Sequence, residues 1–269
     1  MITDFPNGKK LIIGCIHLLP MPNTPFYTSG DFERSLEKAV KDAAALKNGG
    51  ADGCIIQPVD RVYTNTDDTD YIRVACMAVV GQEVRRVVGP DFKVGVQIMW
   101  NCITPSLAAA KACGADYTRC SALVGRSRSP FGDIVGDPYK VMDYRRRIDA
   151  ESVELIAEVA GYHFLSDGGY DKAKLVAAAA DALKVGAHAI EVHHKDEALN
   201  NQMVADLKAA RPDVKVILGG GTNVENVKRR LALADGAIVG ACFENGNWGG
   251  PVCEDTVRAY IEQVRQLEK

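Results

Sequence analysis

Histidine, glutamate and arginine recur in this chain at or near the ends of short apolar runs, where a rigid backbone can present them to a ligand. His17 closes LIIGCIHL, Arg119 sits inside YTRCSAL, and His163 closes ELIAEVAGYH. Glu191 and His193 lie two apart in AHAIEVHH, and Asn101 follows Trp100 at the end of KVGVQIMW. An imidazole so placed serves as a general acid or base, as a ligand, or as a satisfied core residue. Two-residue spacing on a strand puts Glu191 and His193 on one face. A charge within an apolar strand, such as Arg119, needs a partner or a ligand. Together these groups suit a lyase or isomerase step. His17, His163 or His193 moves a proton next to a carbonyl, and Arg119 stabilises the developing oxyanion.

A second kind of signal is glycine. The run VKVILGGGTN places Gly219, Gly220 and Gly221 before Thr222. Glycines let a phosphate approach the backbone, and a following helix start supplies unpaired N–H groups. Thr222 and Glu225 read as a capping box. Gly240 and Ala241, closing another apolar run, are expected to supply the other half of an anion clamp for a small phosphorylated ligand. The plainer alternative is a tight turn that needs small residues.

Glu191 and His193, with Asp60, Glu158 and His163, also supply enough carboxylate and imidazole for a divalent metal, although no spacing is a metal signature. Metal-assisted hydrolysis is therefore a second enzymatic reading. Lys195 suits a Schiff base, a phosphate partner or a solvated charge. The glycine-bearing segment 124–137, with Arg126 and Arg128, reads as a lid. Trp100 and Trp248 would form flat walls at the mouth or pack against its rim.

Positioning these groups requires a scaffold that brings distant segments together. Eight apolar runs, at 11–18, 53–59, 93–100, 117–123, 154–163, 187–194, 214–221 and 236–243, alternate with helical patterns. Such runs suit parallel strands buried on both faces. Asp137-Pro138 and Thr104-Pro105 read as helix starts, and Gly49, Gly89, Gly114 and Gly186 as stops. The count predicts an α/β chain, residues 1–269 forming one (β/α)8 TIM barrel, whose typical length is about 250 residues. A doubly wound open sheet would need a G-x-G-x-x-G after the first strand, and none is present. In a barrel, the polar residues at strand C-termini form the site.

The net charge of −3 argues against a nucleic-acid partner. No run approaches the ~18 apolar residues of a membrane span, so no integral membrane association is expected. The N-terminus shows no signal-peptide pattern, and the eight cysteines contain no C-x-x-C pair, which predicts a cytoplasmic chain with reduced thiols. A homo-oligomer is expected, as for many barrels.

The opening IIGCIHLLPMPNTP, then GGADGCII, GADYTRC, LGGGTNVEN and ADGAIVG, resembles the BtpA/SgcQ family of barrel proteins over essentially the whole chain. The resemblance implies a ribulose-phosphate-binding type of barrel, with a phosphosugar-type ligand at residues 219–222 and 240–241. It also implies a non-enzymatic alternative, since family members are linked to photosystem biogenesis as well as to sugar operons. His17, Asn101, Arg119, His163 and the glycine loop match the family pattern. Gln57-Pro58 stands where the family has Glu-Asn, and Trp100-Asn101-Cys102 where it has Arg-Asn-Asp. Tyr162-His163 replaces Lys-His, His193-His194 replaces Thr-Gly, and a common lysine is missing around Phe243-Glu244. The scaffold and clamp match while the side chains at the mouth differ, which implies a different substrate.

Overall fold

The computed structural model describes residues 3–4, 8–161 and 170–268. Its elements run β1 (Leu11–Leu18), α1 (Asp31–Asn48), β2 (Gly53–Pro58), α2 (Tyr71–Val88), β3 (Lys93–Val96), α3 (Ile103–Cys113) and β4 (Tyr117–Cys120). Then come β5 (Arg126–Ser129), β6 (Gly132–Val135), α4 (Pro138–Arg147), β7 (Glu154–Ala160), α5 (Lys172–Lys184) and β8 (Ala189–Val192). The chain ends with α6 (Glu197–Ala210), β9 (Val216–Leu218), α7 (Val227–Arg230), β10 (Gly236–Val239) and α8 (Glu254–Arg265). Eight parallel strands close a barrel in the order β1-β2-β3-β4-β7-β8-β9-β10, and β10 pairs back onto β1. Among the described residues, eight helices alternate with them, giving the expected TIM barrel.

The pleat divides each strand between two cores. Leu11, Ile13, Cys15, Ile55, Tyr117, Ile156, Ala189, Ile217 and Ile238 pack together inside the barrel. Their strand neighbours of opposite parity, such as Ile12, Ile56, Val94, Leu155 and Val216, pack outward against the helices. Tyr117 of β4 lies over β3 and reaches β2. Its hydroxyl donates to the Cys54 carbonyl at 2.7 Å, and its ring fills the space a side chain at Gly95 would need, since a Cβ there would lie 2.4 Å from Cε2.

Helix starts follow the expected chemistry at four places. Asp70, Asp137, Asp171 and Asp196 each accept an N–H from the first turn of the helix that follows. Two expectations are corrected. Helix α3 begins at Ile103, so Thr104 and Pro105 lie inside its first turn, and the Asp67 carboxylate from the preceding loop accepts the Thr104 N–H at 2.8 Å. Thr222 and Glu225 form no capping box. Asn223 Oδ1 accepts the N–H groups of Glu225 and Asn226, and Asn226 Oδ1 accepts that of Asn223. The Thr222 hydroxyl is instead the acceptor of the Tyr260 hydroxyl at 2.8 Å.

The segment expected as a lid is an antiparallel hairpin, β5 with β6. Ile134 anchors it beside Trp100 and Ala122 in a small core of their own. Among the described residues, no helix is long and apolar enough to cross a membrane.

Candidate functional site

Two residues beyond the interior core, the same strand faces turn polar. His17 follows Cys15, Gln57 follows Ile55, Arg119 follows Tyr117, Glu158 follows Ile156 and Glu191 follows Ala189. Gly219 follows Ile217 and Gly240 follows Ile238 in the same way. Strand alternation therefore assembles these positions into one ring at the C-terminal mouth. From β2 through the end of β3 the ring carries neutral amides that reach the residue after β4: Gln57 Nε2 donates to Gln97 Oε1, and Gln97 Nε2 donates to Ser121 Oγ at 3.4 Å.

On the β1 side, His17 is buried and its Nδ1 lies 2.8 Å from Glu244 Oε1. Glu244 is itself buried and accepts the Gly249 N–H at 3.1 Å through its other oxygen. The turn carrying it is held by Phe243 N–H to the Gly240 carbonyl and by Phe243 packing edge-on to Tyr260. Burial by itself disfavours the imidazolium, but hydrogen bonds to Cys15 and Glu244 outweigh it and raise His17 to about 9. Trp248, exposed, tilts over the imidazole with ring centres 5.5 Å apart.

Opposite, Arg119 joins two carboxylates. It donates from Nε to Glu191 Oε2 at 2.5 Å, from Nη2 to Glu191 Oε1, and from Nη2 to Glu158 Oε2 at 3.0 Å. Glu191 is fully buried, and one guanidinium cannot neutralise two carboxylates. Burial, opposed by Arg119 and reinforced by Glu191, pushes the Glu158 carboxyl well above the usual carboxylate range. A cavity of about 610 Å³ opens beside Ser121, Glu158 and His193 and runs to Arg126 and Arg128 of the hairpin and Lys174 of α5.

Between these walls lies the glycine loop. Gly220 and Gly221 have φ of 144° and 73°, a region that excludes most side chains. Among the described residues, no acceptor engages the backbone N–H of Gly220, Gly221, Thr222 or Ala241. The Gly221 carbonyl accepts from Arg230 Nη1 at 3.1 Å and from Asn226 Nδ2 at 3.0 Å. The trans peptide therefore points the Thr222 N–H away from Arg230. The Arg230 guanidinium is buried beside this loop.

The sequence-predicted groups separate as follows. His17, Arg119, Glu191, Gly219 and Gly240 converge on the mouth. His193 is beside the clamp, since a Cβ on Gly220 would lie 3.0 Å from its Cε1. Glu191 shares its face, as expected, but both its oxygens serve Arg119. Arg119 is likewise engaged, so it holds Glu158 and Glu191 in place rather than awaiting an oxyanion. Asn101 is buried, its Oδ1 without a partner among the described residues, and no hydrogen bond links it to His17 or Arg119. His163 lies outside the described residues. Of the metal candidates, Asp60 pairs with Arg73 and accepts the Met21 N–H, and both glutamates pair with Arg119. Among the described residues, no group of three or more His, Cys, Asp or Glu side chains is placed to hold an ion. Trp100 stacks on Tyr63 beneath the hairpin and is no free wall. Sequence reasoning missed Glu244, whose only signal was a carboxylate closing an apolar run, and it gave Glu158 no role beyond metal binding.

A model of the BtpA family matches residues 8–266. An uncharacterised protein of Archaeoglobus fulgidus is 32% identical over 96% of this chain and 99% of its own length. The Photosystem I biogenesis protein BtpA of Synechocystis is 26% identical over 95% of this chain and 88% of its own. Among solved structures, phosphoribosyl anthranilate isomerase from Thermus thermophilus superposes with a TM-score of 0.58 at 14% identity, covering 96% of this chain and 99% of that one. At that identity the likeness is one of fold.

Proposed function

The chain belongs to the BtpA family, and from that premise we propose that it is an enzyme acting on a small phosphorylated sugar or related phosphate ester, by a lyase or isomerase step. One observation carries this reading: the amides of Gly220, Gly221, Thr222 and Ala241, unengaged among the described residues, share a rim with the His17–Glu244 pair. The amides receive the phosphate, and the nearby Arg230 guanidinium adds positive potential. With its Nδ1 held by Glu244, His17 is charged at neutral pH and donates a proton to a carbonyl oxygen, while His193, beside the clamp, takes the proton of the adjacent carbon, so that an enediol forms. Glu158 and His193 line the neighbouring cavity. The fold shared with phosphoribosyl anthranilate isomerase, whose name carries a phosphorylated sugar, supports the same ligand class by analogy.

Calorimetric titration with inorganic phosphate and with ribose 5-phosphate tests the proposal. Both are expected to bind, and Gly221→Val is expected to weaken both by about ten-fold or more, because a β-branched side chain cannot adopt the loop's positive φ. If neither compound binds the native protein at millimolar concentration, the proposal fails.

A further inference from the structure

We propose that Cys15 is a reactive nucleophile of the barrel mouth, oriented by His17 and Glu244, which adds reversibly to the carbonyl carbon of the ligand. For the identity of that ligand, a small phosphorylated aldehyde or ketone, the inference rests on the proposed function above.

The placement comes from β1. Cys15 and His17 are two residues apart on its inward face, so the thiol stands directly below the imidazole. Glu244 holds the imidazole from the far side at Nδ1, which completes a carboxylate–imidazole–thiol series. The facing position, just after β10, is Gly240; Cys15 and His17 are both buried, and the missing side chain leaves them room on that side. A Cβ there would lie 3.0 Å from His17 Cε1 and 3.5 Å from Cys15 Sγ. Because Gly240 adjoins Ala241 in the clamp, a phosphate seated on those amides would bring its carbon chain toward the sulfur.

The other cysteines are placed differently. Cys54, Cys76, Cys102, Cys113 and Cys120 lie in the shell between barrel and helices. Cys242 packs against that shell, and Cys253 starts α8 at the surface. Cys15 alone among them belongs to the interior cluster. In the addition step the sulfur forms a bond to the carbonyl carbon and the carbonyl π bond breaks. The His17 imidazolium gives its proton to the carbonyl oxygen and is reprotonated by the thiol, so that in net the thiol proton passes to the new hydroxyl and a thiohemiacetal results. No oxidant or second reactant is needed.

Iodoacetamide labelling of the native protein, followed by peptide mass spectrometry, tests this. Cys253, which is half-buried, serves as the accessible reference and Cys54 as the buried one. Cys15 is expected to react at least about ten-fold faster than Cys54, and His17→Gln and Glu244→Gln are each expected to slow it about ten-fold without changing Cys253. A variant that misfolds is recognised by labelling of Cys54, and the native comparison then decides alone. Cys15 left unmodified while Cys253 reacts would overturn the proposal, as would an unchanged rate in folded His17→Gln. Inorganic phosphate is expected to slow Cys15 selectively. If Cys15 is fast and imidazole-dependent but phosphate does not protect it, the nucleophile stands and the phosphate site falls.

Discussion

His17 owes its chemistry to a partner far away in the chain. Burial lowers its pKa, yet hydrogen bonds to Cys15 and Glu244 carry it from 6.5 to about 9, so in the folded state the imidazolium persists at neutral pH. The linked stability is fully present below the unfolded value and is lost as pH rises through about 9, amounting to roughly 3 kcal/mol at most. Glu244→Gln should therefore destabilise the protein near pH 6, and the difference should vanish near pH 10. Urea unfolding at the two pH values measures it, and an equal loss at both would refute the coupling. The Arg119 cluster behaves differently. Arg119→Gln leaves two buried carboxylates uncompensated and should cost about 3–5 kcal/mol. Adding Glu191→Gln should recover a large part of that loss, because it removes one of the two stranded charges. Denaturant curves of the single and double variants separate these outcomes.

At the scale of elements, the strands were legible because eight apolar runs carry the signature of strands buried on both faces, and β1 matches its predicted span of 11–18. The hairpin was not legible. RSRS and GDIV carry no continuous apolar run, and their pairing becomes worthwhile only when Ile134 finds Trp100, a residue distant in sequence. Ile134→Ala should remove about 2–4 kcal/mol from this docking. The expected readout is faster amide exchange confined to 126–135, with the barrel strands unchanged; uniform loss of protection would show that the hairpin is part of the global core. The glycine loop was half legible. Its glycines were read as a loop of small residues open to close approach, but the cap after it is Asn223 with Asn226, since Tyr260 claims the Thr222 hydroxyl.

For the whole molecule, the largest side chain of the barrel interior is Tyr117. Tyr117→Ala should cost about 3–5 kcal/mol through the cavity it leaves, whereas Tyr117→Phe should cost about 1 kcal/mol by removing the hydroxyl's hydrogen bond to the Cys54 carbonyl. Thermal melts of both variants check the ranking. Sequence alone determined the count of barrel strands, the shared face of Glu191 and His193, and the small-residue loops at 219–221 and 240–241, because periodicity and glycine are local properties of the chain. Only the tertiary structure decided which charges neutralise one another. Glu244 reaches His17, and Arg119 takes up Glu158 and Glu191, across sequence separations that no local pattern encodes. The physical reason is desolvation: once barrel closure removes water from these groups, each charge must take the nearest compensating partner, and closure sets which one is nearest.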